Sequence, residues 1–289
     1  MASLKDVKSK IGGVKKTAQI TSAMNMVAAS KLRGAQSKME RFRPYAAKFN
    51  QAMGNLSSGM DSGQFPLMEA RPVKSIELVI VTSDRGLCGS FNANIISSAE
   101  RLIRQYTAEG KKVSLVCIGK KSIGKMKKTG LVRKQYADIM GSFQMFNARA
   151  IAQDVAENFL MGNADQVQLI YGEFKSVAVQ RPKTVPLLPI QPAATEVAPV
   201  AATGDYLYEP SPDQIMEVLQ PLYLNVMVYS SMLEVAAGEN AARMTSMDNA
   251  TKACKDMIHS LTLVYNKARQ SSITAELMDI VGGAEALKG

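Results

Sequence analysis

ASLKDVKSKIGGVKKTAQITSAMNMVAASKLRGAQSKMERFR, residues 2–43, contains no proline and carries an apolar or small residue at alternating three- and four-residue steps: Leu4, Val7, Ile11, Val14, Ala18, Thr21, Asn25, Ala28, Leu32, Ala35, Met39 and Phe42. That spacing turns one helix face toward a partner helix over more than five heptads. A second proline-free segment, Leu222 to Gly289, repeats the pattern through Leu233, Ala237, Asn240, Met244, Met247, Thr251, Cys254, Ile258, Leu261, Tyr265 and Ala268. At about 1.5 Å per residue the first helix would reach about 60 Å and the second, from Leu222 to Val281, about 90 Å. Such helices do not belong to a compact enzyme domain. The stripes predict that the two ends of the chain pair as one antiparallel coiled coil, because the sequence between them gives the chain room to return.

The middle of this seam is small or polar, with Ala18, Thr21, Asn25 and Ala28 on one side and Asn240, Thr251 and Ala268 on the other. Residues of that kind grip less firmly than Leu or Ile but allow close approach. Two readings follow: simple close packing of two helices, or a rod steadied in part by an enclosing partner.

Prolines divide the rest. Pro44 is expected to close the first helix, Pro66 and Pro72 bracket a connector, and no proline occurs from Val73 to Arg181. Inside that stretch IELVIVT (76–82), KVSLVCI (112–118) and 167–171 read as buried strands, separated by helical character over 94–106 and 148–160. Strand-helix alternation predicts a Rossmann-like parallel sheet. Pro182, Pro186, Pro189, Pro192 and Pro199 suggest an edge strand running into an extended linker. The expected organisation is an N-terminal coiled-coil helix over 1–60, a central α/β domain over 73–205, and a C-terminal coiled-coil helix over 210–289.

Composition narrows the chemistry. The chain has 289 residues, 46% of them apolar, enough for a real core. Cys88, Cys117 and Cys254 form no CxxC pattern and no Cys/His cluster, and the chain has a single histidine, His259. Disulfide and metal frameworks are therefore not expected, and a reducing compartment is the default. The uncharged run Val218–Leu233 contains Gln220, Pro221 and Asn225 and falls short of a membrane span. The N-terminus lacks the apolar core of a secretory signal. Of the net charge of +10, the excess lies in the N-terminal helix, where eleven Lys/Arg up to Lys48 face only Asp6 and Glu40. Such a helix suits an acidic partner surface, a phosphate backbone or plain solvent.

The sharpest local motif is SDRGLCGSFNAN, Ser83–Asn94, at the end of the first strand. Glycines at a strand-to-helix turn can cradle phosphate. Gly86 and Gly89, however, fit neither GxGxxG nor GxxxxGK[ST], so a structural turn is the expectation. Cys88 near a helix start could act as a nucleophile, but no histidine base is placed to serve it. GKKS at 119–122 reads as a basic helix start. No carboxylate pair is positioned for acid-base work, and aromatic residues do not interleave with the basic helix as a stacking platform for single-stranded nucleic acid would require. No cofactor is expected.

Four separated blocks then become recognisable: KTAQITSAMNMVAASKL (16–32), Ser83–Asn94, AARMTSMDNAT (241–251) and LVYNKARQSSIT (263–274). In this order and spanning nearly the whole chain, they resemble the gamma subunit of F-type ATP synthases. Asn25 and Ser30 depart from the residues common at those places. The resemblance implies a rotor shaft inside a hexamer of alternating alpha and beta subunits, with the α/β domain as a foot on the membrane c ring beside epsilon. It implies torque transmission for ATP synthesis coupled to ion transport, with protons the expected ion, and no catalytic site in this chain. It places Met24 beside an acidic lever of the beta subunit, and Arg243, Gln270 and Thr274 at contacts to the surrounding head. Tyr206, Tyr208 and Glu209 resemble a foot segment touching the c ring. The implied location is the cytoplasmic face of the bacterial inner membrane, peripheral and attached through the c ring only. From the residues alone, a basic coiled-coil nucleic-acid-binding protein and a nucleotide-dependent enzyme built on the glycine turn stay open beside it.

Overall fold

The computed structural model describes residues 4–57, 64–191, 209 and 211–286. The elements run α1 (Leu4–Ser57), β1 (Ser75–Val81), α2 (Phe91–Ala108), β2 (Lys112–Ile118), α3 (Lys120–Met126), β3 (Val132–Tyr136), α4 (Met145–Leu160), β4 (Gln166–Phe174), β5 (Gln180–Leu188) and α5 (Pro212–Ala286). The chain divides into two units, one made of the two ends (residues 1–28 and 244–289) and one of residues 29–243.

In the first unit the seam follows the predicted stripe. Along α5 the half-buried positions are Thr251, Cys254, Ile258, Leu261, Tyr265 and Ala268, while their neighbours, His259 among them, are open to solvent. On α1, Val7, Thr21 and Ala28 are buried, and Leu4, Ile11, Val14, Ala18 and Asn25 half-buried. Past Ala268, α5 turns almost all its side chains outward, including Ile273, Leu277 and Val281.

The second unit holds a five-stranded sheet in the order β3-β2-β1-β4-β5. The three strands read from the sequence, β1, β2 and β4, are parallel as expected, and β3, which the sequence reading lacked, adds a fourth parallel strand beside β2. The fifth pairs antiparallel with β4, so the sheet is mixed. β5 carries Pro182 and Pro186, which cannot donate to a ladder, and an edge is where a strand tolerates them. β1 is buried along nearly its whole length, which is why it reads as a continuous apolar run instead of an alternating one.

The first helix runs past the proline expected to close it, while the last begins at Pro212, within the 210–289 segment expected for it. Pro44 does not close α1, which continues to Ser57, and Pro221 lies inside α5. A proline costs a helix one hydrogen bond and a steric clash, but packing on either side can outweigh that. Around Pro44 that packing is aromatic: Phe42 meets Tyr229 of α5 edge-on at 4.9 Å, and Tyr45 bridges Phe42 and Phe49. Around Pro221, Gln220, Tyr223 and Leu224 are buried while the proline itself faces out.

Candidate interaction sites

In the terminal unit, Thr21 and Thr251 bring their hydroxyls to 2.7 Å, and Asn25 Nδ2 donates to the Met244 carbonyl at 3.0 Å. As residue numbers rise on α1 they fall on α5, so the two helices pair antiparallel. The small and polar seam residues are therefore parts of the packing: one threonine hydroxyl donates to the other, which donates on to a carbonyl of its own helix, Ala18 if that is Thr21 or Met247 if that is Thr251.

In the second unit α1, β4 and α5 meet at one carboxylate. Glu234, only 7% exposed, accepts from Arg43 through Nε and Nη2 and, through its other oxygen, from the Phe174 backbone N–H at 2.8 Å. Arg43 Nη2 also donates to the Phe174 carbonyl at 3.0 Å. Both backbone groups at the end of β4 are thus tied to the two long helices.

The glycine turn after β1 is closed by its own side chains. Asp84 accepts from the backbone N–H groups of Lys120, Asp138 and Met140 at 2.9–3.1 Å, so a carboxylate already sits on the start of α3. Ser83 and Asn92 bond each other, and Asn92 Nδ2 lies 3.1 Å from Cys88 Sγ. Cys88 is buried, and burial pushes its thiol up, outweighing the nearby Arg243 charge. The turn is structural, as its sequence suggested, and its cysteine is not an activated nucleophile. Gly119 has φ +91°, and a β-carbon there would overlap the Thr82 carbonyl, so this crossover requires glycine.

Arg243 joins two of the recognised sequence blocks. Its Nε donates to the Gly86 carbonyl at 3.2 Å, Nη1 to Asn240 at 3.2 Å, and both terminal nitrogens reach Glu239 on the preceding helical turn. The residue is 8% exposed, so its guanidinium is spent on holding the glycine turn against α5. Next to it a groove of about 630 Å³ runs between α1, α5 and the loops after β1 and β3, with Lys31, Lys38, Arg85 and Phe143 among its lining.

The other residues singled out from sequence lie apart. Met24 is half-buried on α1, next to the seam residue Asn25. Gln270 and Thr274 are exposed on α5, where the Thr274 hydroxyl bonds the Gln270 carbonyl at 2.9 Å. Glu209 is exposed. Tyr206 and Tyr208 lie outside the described residues.

One cluster escaped the sequence reading. Glu77, wholly buried on β1, accepts from Arg133 Nε at 2.6 Å, Asn158 Nδ2 at 3.2 Å and Ser114 Oγ at 3.4 Å. Arg133 also reaches Asp154 at 2.7 Å. Burial raises the Glu77 carboxyl against the pull of Arg133. Tyr136 is pushed up to about 12, first by burial and then by the Asp154 charge. The network anchors β3, a strand of sequence VRKQY with almost no apolar signal, to the sheet. The one hint in the sequence was an acid inside the otherwise apolar IELVIVT. Among the described residues no group of His, Cys, Asp and Glu could hold a metal ion, and no helix is long and apolar enough to cross a membrane.

An antiparallel pair of terminal helices, with the chain between them folded as a Rossmann-like sheet whose glycine turn is plugged by an aspartate, defines a central-stalk type of subunit. The chain belongs to the ATP synthase gamma-chain family. The ATP synthase family model matches residues 3–287. The ATP synthase gamma chain of Desulfotalea psychrophila is 64% identical over the whole of both chains, and that of Syntrophus aciditrophicus 49% identical over 99% of each. A chain of the central stalk/c-ring of the Tetrahymena thermophila mitochondrial ATP synthase superposes with TM-score 0.62 at 27% identity, covering 80% of this chain and 99% of that one. A chain of the Euglena gracilis mitochondrial ATP synthase assembly of OSCP, F1 and c-ring shares the fold, with TM-score 0.67 at 20% identity over 98% and 94%. The nucleic-acid reading finds no support among these relatives.

Proposed function

We infer that this chain is the rotor of an ATP synthase, carrying torque between a membrane c ring and a catalytic hexamer of alpha and beta subunits. The observation that carries the reading is the antiparallel pairing of the two ends through Thr21–Thr251 and Asn25–Met244, in a chain of gamma-chain family membership. A pair of helices with different faces presents a different surface in each direction, and rotation would bias each catalytic subunit in turn between open and closed states. The chain does no chemistry itself. Met24, Gln270 and Thr274 are the residues we assign to contacts with the surrounding head. Arg243 contributes by holding the glycine turn in place, a role that its burial favours over an open contact. The α/β domain over 73–205 serves as the foot, with Tyr206, Tyr208 and Glu209 toward the c ring and epsilon beside it. The complex sits on the cytoplasmic face of the bacterial inner membrane and moves protons.

Co-expression with alpha and beta subunits tests this. The chain is expected to co-purify with them in a complex that hydrolyses ATP, while the isolated chain shows no turnover. A chain that purifies away from alpha and beta, or that hydrolyses ATP alone, would overturn the reading.

A further inference from the structure

From Tyr223 to Arg243 every residue of α5 is buried or half-buried, on all sides of the helix, whereas Leu222 before this stretch and Thr245 after it are exposed. A helix covered all round lies inside its domain instead of on its surface. The cover comes from several elements at once. Tyr229 meets Phe42 of α1 at 4.9 Å and Phe143 of the loop after β3 at 5.7 Å, both edge-on. Tyr223, Leu224, Val228, Met232 and Val235 join the hydrophobic core of the sheet. Past this collar the same helix runs unbroken to Ala286.

An apolar sleeve holds a helix without fixing its angle, because hydrophobic attraction has no direction. Three contacts in the collar do have direction. The Glu234 carboxylate is held by Arg43 of α1 and by the Phe174 N–H at the end of β4. Gly238 gives way to the Phe91 ring of α2, and Arg243 donates to the Gly86 carbonyl of the turn after β1 at 3.2 Å. At about 3.6 residues per turn, Glu234 and Gly238 lie on one side of α5 and Arg243 lies half a turn round from Glu234. Turning the helix about its axis must therefore misalign bonds on both sides and drive a backbone into a ring, in an interior that transmits strain. Ser231 and Asn240, also buried, donate only to the Val228 and Ala236 carbonyls of their own helix and fix nothing outside it.

We propose that Tyr223–Arg243 is the joint through which the α/β domain turns the shaft, with Glu234, Gly238 and Arg243 as the positions that stop α5 from slipping in its collar. The proposal rests on the rotor reading given above and adds to it the place where load enters the long helix. Arg43 and Phe91 are positioning residues, since each works by fixing the angle of α5. The Glu77–Arg133 network provides the contrast. It too ties the domain together, but its bonds lie within the sheet and α4, so it secures the fold without indexing the helix.

The full chain in complex with alpha and beta subunits is tested by single-molecule rotation. The hexamer is fixed to a surface and a bead is attached through Lys128→Cys, an exposed site on the α/β domain, in a Cys254→Ser background that leaves only the buried Cys88 and Cys117. The angular variance of the bead during pauses between ATP-driven steps is inversely proportional to the torsional stiffness of the rotor. Arg43→Met combined with Phe91→Leu should raise that variance about twofold. The control, Arg133→Met, should lower the urea midpoint but leave the variance as it is in the unaltered chain. An unchanged variance in the double variant, or an equal rise in the control, would overturn the proposal. Should the double variant not assemble, Arg43→Gln decides alone, because the Arg43 side chain is 48% exposed and its loss is tolerable to the fold. Its variance should rise by about a third, and no rise refutes the joint. A bead that turns normally on the unaltered chain while these substitutions leave its stiffness untouched refutes the joint and not the rotor reading. A bead that never turns under ATP would remove the rotor reading and the joint with it.

Discussion

Gly238 of α5 lies so close to Phe91 that a β-carbon on it would stand 2.7 Å from the ring, and Gly172 of β4 meets the same ring at the same distance. The Phe91 side chain, at the start of α2, is thereby wedged between the sheet and the long C-terminal helix. Two glycines make room for one aromatic ring. Gly238→Ala should therefore destabilise the chain by about 1–3 kcal/mol, despite alanine being the better helix former, because added volume in a packed site forces neighbours to move. Urea unfolding would measure it, and Phe91→Leu in the same chain should recover part of the loss. A Gly238→Ala chain as stable as the unaltered one would show that the ring can swing away.

The Arg43–Glu234–Phe174 clamp predicts an asymmetric pair of effects. Arg43→Ala leaves a nearly buried carboxylate with the Phe174 N–H as its remaining partner, and should cost about 1–3 kcal/mol. Arg43→Ala combined with Glu234→Gln should cost less than the sum of the two single changes, since the second substitution removes the stranded charge. Strict additivity in a double-mutant cycle would mean that the ion pair contributes nothing of its own.

The antiparallel seam predicts which cysteines can be joined. In a Cys254→Ser background, Thr21→Cys with Thr251→Cys should oxidise to a disulfide, because the two hydroxyls already stand 2.7 Å apart. One heptad further out, Val14→Cys should join Ile258→Cys and not Met244→Cys. Cross-linking of Val14→Cys to Met244→Cys would indicate a parallel pairing and reject the arrangement.

Asp165 predicts an acid-side loss of stability. Burial alone would raise its carboxyl, but hydrogen bonds from Lys74 N–H, Ser75 N–H and the Ser75 hydroxyl prevail and hold it below the ordinary carboxylate range. A carboxyl depressed in the folded state contributes stability above its unfolded pKa and loses that contribution as pH falls through the folded value. The urea midpoint of the unaltered chain should therefore exceed that of Asp165→Asn at neutral pH, and the gap should close as the solution is acidified below about 3.9. A gap independent of pH would assign the difference to packing rather than charge.

The sequence by itself determined the long helices and their pairing, since a three-four stripe has only one way to be buried and the two stripes occur at opposite ends of the chain. It determined β1, β2 and β4 through their apolar runs, and it marked the Ser83–Asn94 turn as structural through glycines that miss every phosphate-loop spacing. The tertiary structure alone decided where the helices stop, because the aromatic packing of Phe42 and Tyr45 carries α1 past Pro44. It decided that VRKQY is a strand, since Arg133 is drawn to a buried Glu77 that no local pattern announces. Arg243 shows the difference most plainly. Its block of sequence was legible as part of an interaction motif, but a side chain's exposure is set by what folds over it: Glu239 and Asn240 lie on the same helix one turn back, whereas the Gly86 carbonyl reaches the guanidinium from 157 residues away, a position that only the completed fold supplies.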